Sequence, residues 1–231
     1  MTSHTLANSL LEPILRQGPG ALLDRLLTRP INSGEVLFES GAPLIHLIFP
    51  HSGVISIQAI LNDGRAIERT SVGHEDAVGI VEHALGLKST PCRAVVAVSG
   101  RASWLPIDDL GAILSSCDEM REVIQKCHLR LLRSLIQSVA CASVHSASQR
   151  LATWLLRAVD RSDSCQLDIT QRMLAEIFGL RLATISDACA RLHAAGAIGQ
   201  GRGNLTIVNR EQLKAQACEC YDHWLEIRHL T

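Results

Sequence analysis

The stretch at residues 168–210, DITQRMLAEIFGLRLATISDACARLHAAGAIGQGRGNLTIVNR, decides the fold of the C-terminal half. Thr170 can cap a short helix, because its hydroxyl can accept a hydrogen bond from the amide of the second or third helical residue. Gly179 permits a sharp turn, and Gly196 ends the second helix as a C-terminal glycine. Apolar residues at three- and four-residue spacing predict a buried face of Ile185, Ala188, Cys189 and Leu192. The pattern predicts two short helices joined by a glycine turn.

The residues that follow predict a β-hairpin. Residues 197–209, AIGQGRGNLTIVN, form a strand, a glycine-rich tip that carries Arg202, and a second strand over residues 205–208. Pairs of helices around a glycine turn are common in proteins that never contact nucleic acid, so the pair alone decides little. A hairpin directly after the pair is typical of a winged helix, and the combination predicts a DNA-binding domain.

The N-terminal half has a β pattern from about residue 31 to residue 106. Glycines separate short runs rich in Val, Ile and Leu, among them EVLFES at residues 35–40 and VISIQAIL at residues 54–61. The sequence Asn-Asp-Gly at residues 62–64 is a strong hairpin signal, because glycine tolerates a positive φ. Many short strands at this spacing predict an antiparallel roll, and a helical segment is expected before it at residues 10–27.

Between these parts, residues 118–144 run without Gly or Pro, which predicts a helix of about 40 Å at 1.5 Å per residue. That length exceeds what a small domain covers, so we expect a two-helix coil between two copies. Packing on its own domain is the alternative. The expected seam has three- and four-residue steps and comprises Ile124, Cys127, Leu131, Leu135, Ser138 and Ala142.

Composition and missing motifs narrow the function. The 231 residues are 47% apolar with a net charge of −1, which is typical of a folded protein. No apolar run long enough to span a membrane occurs, and residues 1–6 lack a secretory signal, so we expect a cytoplasmic protein without membrane contact. The sequence has no Ser-His-Asp motif, Walker loop or paired-carboxylate site, so we expect no enzyme activity.

The eight cysteines are scattered along the chain. No Cys-x-x-Cys pair occurs, and the one close pair, Cys218 and Cys220, lacks a second pair or a His-x3–5-His partner. We therefore expect small buried hydrophobic side chains in a reducing compartment, and no metal site. The alternative is a redox switch in which a thiol such as Cys127 or Cys141 responds to oxidation.

Four local motifs and their order resemble one protein family. They are GEVLFESGAPLIHLIFPHSGVISI (residues 34–57), GHEDAVG (73–79), SVHSASQRLATWLL (143–156) and the string over residues 169–186. Together with the order β-roll, long helix, winged helix, they resemble the Crp/Fnr family of bacterial transcription regulators over about residues 22–221.

The resemblance implies an α+β protein of three parts. These are an N-terminal antiparallel, jelly-roll-like β-roll that senses an effector (residues 1–117), a dimerisation helix (118–145) and a winged helix-turn-helix domain (146–231). In this family the paired long helices form a homodimer and the second helix of each winged domain enters the major groove. The implied partners are double-stranded DNA, a second copy of the chain and RNA polymerase.

The resemblance also implies which residues contact DNA. Phosphate contacts are expected from Thr170, Arg172, Arg181, Thr184 and Arg202, and base contacts from Leu182, Ala183 and Asp187. Well-known members have an arginine–glutamate pair and a second arginine at these last three positions. Here the two apolar side chains can only pack on a thymine methyl, and the aspartate can accept from cytosine N4. We expect a palindromic site with an unfamiliar half-site.

The effector is open at this point. Cyclic-nucleotide-binding members hold the ribose with a Gly-x-Glu segment, which Gly73 and Glu75 match, and the phosphate with an Arg-Ser/Thr pair. Cys92 and Arg93 lie where that pair should be, so the phosphate site is displaced or missing. No cysteine precedes Cys92, as an N-terminal iron–sulfur cluster would need, and no haem signature stands out. The cofactor stays unknown, and a regulator without a ligand is a further alternative.

Overall fold

The computed structural model describes residues 8–17, 20–109 and 118–228. Its N-terminal part is a five-stranded antiparallel sheet. The strands are β1 (Leu27–Ile31), β2 (Val36–Phe38), β3 (His46–Ile60), β4 (Ala66–Val72) and β5 (Arg93–Pro106). They are ordered β1-β5-β3-β4, and β2 also pairs with β5. The predicted hairpin connects β3 to β4, and Gly64 has a φ of 82° there. Cys117 and residues 1–6 lie outside the described residues.

The start of the chain differs from the prediction of one helical segment over residues 10–27. Helix α1 covers Leu11–Gln17, a 3-10 helix covers Gly20–Arg25, and β1 already begins at Leu27. The side chain of Asn8 explains the helix start, because its Oδ1 accepts from the amides of Leu10 and Leu11 at 3.0 and 2.8 Å. A short helix α2 (Ile80–Ala84) lies between β4 and β5.

The predicted long helix is confirmed as α3 (Asp118–Val144), but the predicted seam is wrong at its first two residues. Ile124 is 5% exposed and Cys127 is fully buried, and both pack within their own chain against Leu47 and Phe49 of the sheet. A different row of α3 is exposed and apolar. We call it the apolar stripe, and it consists of Leu129, Leu132, Ile136 and Val139.

The C-terminal part, residues 146–228, consists of helices around a small antiparallel sheet, and we call it the winged part. Helix α4 (Ala147–Asp160) begins at a capping box of Ser146 and Gln149. The remaining elements are β6 (Gln166–Leu167), α5 (Gln171–Phe178), α6 (Leu182–Ala194), β7 (Ile198–Gly201), β8 (Asn204–Ile207), α7 (Arg210–Gln216) and α8 (Cys220–Arg228). The sheet order is β6-β8-β7. Among the described helices, none is long and apolar enough to cross a membrane.

The two parts share one hydrophobic core. Val54, Ala97 and Val98 of the N-terminal sheet are buried in the same cluster as the side chains of α4, α5 and α6. Most residues of strand β3 are buried, some in this shared cluster and some in the interior of the sheet. The winged part therefore has a defined position on the sheet.

Candidate nucleic-acid interface

The second helix of the winged part, α6, has one buried and one exposed face. Ile185, Cys189 and Leu192 are fully buried and Ala188 nearly so, which confirms the predicted buried face. They pack in the core that α6 shares with α4 and α5. The first turn of α6 and its outer face are left to solvent.

Every residue predicted to contact DNA is exposed. On and before α6 the exposed positions are Arg181, Leu182, Ala183, Thr184 and Asp187, and Leu182 is 47% exposed. Arg181 precedes the helix in an extended conformation, and its side chain does not cap the first turn. The first amide groups of α6 therefore lie beside an arginine at the positive end of the helix dipole, which favours a phosphate there.

The start of α5 lies next to this face. Thr170 is the predicted N-cap, and its Oγ1 accepts from the Met173 amide at 3.2 Å. Arg172 is exposed in the first turn of the helix. The turn between α5 and α6 has Gly179 at a φ of 62°, which a side-chain-bearing residue adopts only with strain. The two helices thus have the geometry of a helix-turn-helix pair.

The sequence analysis missed Gln171, which holds three elements together. Its Oε1 accepts from the Ser186 hydroxyl of α6 at 2.7 Å, and its Nε2 donates to Gln200 Oε1 of β7 at 2.9 Å. The side chain therefore fixes the wing and α6 relative to the start of α5. No local signal reveals this role, because a glutamine in the first turn of a helix is usually solvated.

The wing is confirmed as a two-stranded hairpin. Strands β7 and β8 pair from Ile198–Ile207 to Gly201–Asn204, and Arg202 and Gly203 form the tip. Gly203 has a φ of 81°, which the tight turn requires. Arg202 is exposed at the tip, where a basic side chain can contact a phosphate beside the groove.

The predicted effector residues form ion pairs within the chain. Glu75 is 5% exposed, and its carboxylate accepts from the guanidinium of Arg161, the residue that ends α4. Burial by itself raises the pKa of Glu75, but Arg161 outweighs it and the pKa is lowered. Gly73 leaves room for the same arginine, since a Cβ there would lie 2.5 Å from Arg161 Cδ. Arg93 pairs instead with Glu39 at 3.1 Å.

Arg161 connects the two parts of the chain. It is 3% exposed and donates to the Ser71 hydroxyl at 2.8 Å and to the Ser71 carbonyl at 3.2 Å, while its own carbonyl accepts from the Gly53 amide at 2.7 Å. We call these contacts, together with the Glu75 ion pair, the Arg161 clamp. The Gly-x-Glu segment therefore binds the winged part in this structure.

A cavity of about 470 Å³ lies between the two parts, bounded by β4, α3, α4, α5 and α8. Trp154 Nε1 donates to Glu68 Oε1 at 3.2 Å in its wall. Glu68 Oε2 and Arg157 Nε are buried without a hydrogen-bond partner among the described residues. Burial raises the pKa of Glu68 and lowers that of Arg157 to about 10. Cavities of this volume commonly hold small ligands.

The structure also brings together cysteines that are far apart in the sequence. Cys141 of α3 and His145 just after it meet Cys218 and Cys220, which lie just before and at the first residue of α8. Cys218 has its pKa lowered to about 5, mainly by the hydrogen bond from the Cys141 thiol, while that bond raises the pKa of Cys141. Cys127 is different, because burial raises its pKa and makes it a poor redox sensor.

Residues 149–216 match the family model of the Crp-like helix-turn-helix domain. Among solved structures, FixK2 from Bradyrhizobium japonicum is similar with a TM-score of 0.67 at 18% identity, covering 84% of this chain and 98% of that one. A CRP-family transcriptional regulator from Thermus thermophilus also has a TM-score of 0.67 at 18% identity, with 82% and 96% covered.

The c-di-GMP-responsive global regulator CLP of Xanthomonas campestris has a TM-score of 0.62 at 14% identity, with 82% and 97% covered. A search of curated proteins by sequence finds no match. At these identities the structures show a shared fold. The chain carries a Crp-like helix-turn-helix domain and has the fold of the Crp/Fnr regulators, which confirms the predicted resemblance.

Proposed function

We propose that the chain is a homodimeric transcription regulator that binds a two-fold palindromic DNA site. The observation that carries the proposal is the exposed face of α6, where Leu182, Ala183 and Asp187 are flanked by Arg181 and Thr184 while the opposite face is buried. Arginine contacts to phosphates do not depend on the DNA sequence, whereas Leu182, Ala183 and Asp187 would contact the edges of the bases. Thr170, Arg172 and Arg202 complete the phosphate contacts.

The chemistry of the three central residues sets the expected half-site. Leu182 and Ala183 have no donor for guanine and pack on thymine methyl groups, whereas Asp187 accepts from the amino group of cytosine. Selection from a randomised DNA library tests this. We expect two half-sites about one helical turn apart, with thymine and cytosine preferences at the contacted positions. Recovery of a guanine-reading half-site, or of no symmetric site, would contradict the proposal.

The second copy is proposed to bind at the apolar stripe of α3. Its members follow one another at steps of three, four and three residues, which is the spacing of a two-helix seam. All four are between 49% and 68% exposed, so they form a continuous apolar surface. A two-fold axis along α3 would place the two winged parts side by side, as a palindromic site requires.

The effector is proposed to bind in the cavity between the two parts. Glu75 is engaged by Arg161 and Arg93 by Glu39, whereas Glu68 and Arg157 line the cavity and each keeps one buried atom without a hydrogen-bond partner among the described residues. Calorimetric titration with cyclic mononucleotides and c-di-GMP tests this assignment. If a nucleotide binds, Arg157→Met should weaken it and Arg93→Ala should not. Loss of binding in Arg93→Ala alone would restore the effector site predicted from the sequence.

Two further assignments belong to the proposal. RNA polymerase is the proposed protein partner and the cytoplasm the proposed location, because a transcription regulator acts where the chromosome and the polymerase are. The proposal includes no catalytic step. An absorbance spectrum of anaerobically purified protein tests for haem or an iron–sulfur cluster, and we expect neither band.

A further inference from the structure

Four side chains with metal-binding chemistry meet where the long helix joins the winged part. Cys141 and His145 lie one turn apart at the end of α3, and Cys218 and Cys220 lie at the start of α8. Their three sulfur atoms and one imidazole nitrogen all lie within 4.8 Å of one another. Cys218 and Cys220 are each 5% exposed, and the other two are half-buried.

The distances inside the cluster fit one tetrahedral ion. Zinc binds sulfur at about 2.3 Å and histidine nitrogen at about 2.0–2.1 Å, so tetrahedral edges are about 3.8 Å between two sulfurs and about 3.6 Å between sulfur and nitrogen. Cys141 Sγ and Cys218 Sγ are 3.7 Å apart. Cys220 Sγ and His145 Nδ1 are 3.6 Å apart. Both distances match, and the three thiols are free rather than bridged.

The neighbours of the cluster hold its members in a binding orientation. His145 Nε2 faces Glu219 Oε1 at 3.1 Å, which favours the tautomer with its proton on Nε2 and the Nδ1 lone pair directed at the sulfurs. Gln137 Nε2 donates to Cys220 Sγ at 3.1 Å. Thr153 Oγ1 accepts from the Cys218 amide and lies 3.1 Å from Cys218 Sγ, to which its proton can be donated. Such donors stabilise thiolates.

We propose that Cys141, His145, Cys218 and Cys220 bind one thiophilic divalent ion of the zinc type as a Cys3His site. Three thiolates and a neutral imidazole close a four-coordinate shell, which is the composition of structural zinc sites. Binding releases to solvent the protons that the thiols still carry and involves no change of oxidation state. An iron–sulfur cluster is less suited, because its ligands attach to different irons and spread further apart than these four atoms do.

The position of the site gives it a mechanical role. Helix α3 ends at Val144 and α4 begins at Ala147, so the ion would join the end of the long helix to α8, which follows the wing. The matched family domain ends at residue 216, two residues before Cys218, so the site lies outside that domain. The bound ion would fix the angle between α3 and the winged part. This mechanical role rests on the proposed function, whereas ion binding does not.

The test is the metal content of the full-length protein, purified under reducing conditions and measured by mass spectrometry. We expect one zinc ion per chain in the wild type and an about tenfold lower content in Cys141→Ser and Cys220→Ser. The matched control is Cys165→Ser, since Cys165 is an exposed free thiol outside the cluster, and it should keep its ion. Equal metal content in all four proteins, or none in any, would overturn the proposal.

A titration of metal-free wild type with Co²⁺ keeps the test independent of whether the variants fold. We expect saturation at one ion per chain, with the absorption of tetrahedral thiolate coordination. Glu219→Gln should weaken the affinity by about tenfold, because it loosens the orientation of His145. Iron–sulfur absorption, or a Cys141–Cys218 disulfide with no ion uptake, would overturn the single-ion site, the latter in favour of the redox switch.

Binding to the selected DNA is measured separately for the loaded and the metal-free protein. We expect the affinities to differ, because only in the loaded protein does an ion join the end of α3 to α8. Equal affinities would overturn the mechanical role, while the ion count would still decide whether the site binds metal. If neither form binds DNA, the proposed function fails and the ion count stands on its own.

Discussion

The apolar stripe of α3 makes a specific prediction about the dimer, which Ile136→Asp tests. Ile136 lies in the middle of the stripe and is 62% exposed, so the change should leave the single chain intact. In the proposed dimer the same side chain would meet its counterpart near the two-fold axis. A charge there loses apolar burial and repels the identical charge of the second copy.

The size of the effect follows from the exposed fraction. Fully burying an isoleucine contributes about 1.5–3 kcal/mol, so the 62% that is exposed corresponds to about 1–2 kcal/mol per chain. Both copies change, which gives about 2–4 kcal/mol per dimer. At about 1.4 kcal/mol per factor of ten, the dimer should weaken by about 30-fold to about 1,000-fold. Repulsion between the two aspartates adds to this loss.

Sedimentation equilibrium over a range of concentrations measures the dimer constant directly. Leu85→Asp is the matched control, because Leu85 is 69% exposed but lies just after α2, away from the stripe. The control should dimerise as the wild type does, and circular dichroism should show both variants folded. An unchanged dimer constant in Ile136→Asp, or an equal loss in the control, would refute the stripe as the dimer interface.

Three further predictions concern DNA binding and the contact between the two parts. Arg181→Ala and Arg202→Ala should each weaken binding to every DNA sequence and lower the slope of log affinity against log salt concentration by about one. Fluorescence anisotropy measures both effects, and an unchanged slope would refute the phosphate contact. Asp187→Ala should relax the preference at one half-site position by about 1–3 kcal/mol in a repeated library selection, and an unaltered motif would remove Asp187 from base reading. Arg161→Met should lower the free energy of unfolding by about 3–5 kcal/mol at neutral pH, because Glu75 then stays buried without its cation. Denaturant titration measures this loss. A loss below about 1 kcal/mol would argue against the Arg161 clamp.

The sign of the pH dependence follows from the same ion pair. The pKa of Glu75 is lowered in the folded protein from its ordinary value of 4.5. Its contribution to stability is therefore fully present above pH 4.5 and is lost as the pH falls through the lower, folded value. Arg161→Met removes the main cause of this lowering, so burial should raise the pKa of Glu75 and this contribution should change sign. Denaturant titrations of both proteins at several pH values compare the two slopes.

The winged part was predictable because its signals are local. Thr170 caps its own helix, Gly179 and Gly196 adopt positive φ within their own turns, and each identifies an element boundary without reference to the rest of the chain. The buried face of α6 was predictable from its apolar spacing, and the remaining positions were therefore expected to be exposed. Gln171 could not be found in this way, because its partners Ser186 and Gln200 come from two other elements.

The length of α3 was predictable but its orientation was not. The rows that begin at Ile124 and at Leu129 both have three- and four-residue spacing, so periodicity cannot choose between them. The choice depends on which row meets Leu47 and Phe49 of the sheet, which lie far away in the sequence. Periodicity therefore shows that α3 has two apolar rows. It does not show which of the two packs within the chain.

The cysteine cluster shows the same limit in another form. Cys141 and His145 at a spacing of four lie on one face of a helix, and Cys218 and Cys220 form a close pair, so each half is visible in the sequence. Neither half contains enough ligands for a metal ion. Only the packing of α8 against the end of α3 brings the two halves together, since Cys141 and Cys218 are separated by 77 positions in the sequence.

The cysteine cluster and the Arg161 clamp lie at opposite ends of α4. The cluster is just before its first residue, and the Arg161 clamp follows its last, about 21 Å away for 14 residues at 1.5 Å each. Helix α6 packs on α4 in one core, so the recognition face moves with α4 as a unit. Releasing one of these ends would leave α4 held at its other end and by the hydrophobic core that the two parts share. In the proposed dimer, a signal that breaks one of these contacts would therefore change the position of each recognition helix relative to its half-site, without detaching the winged part.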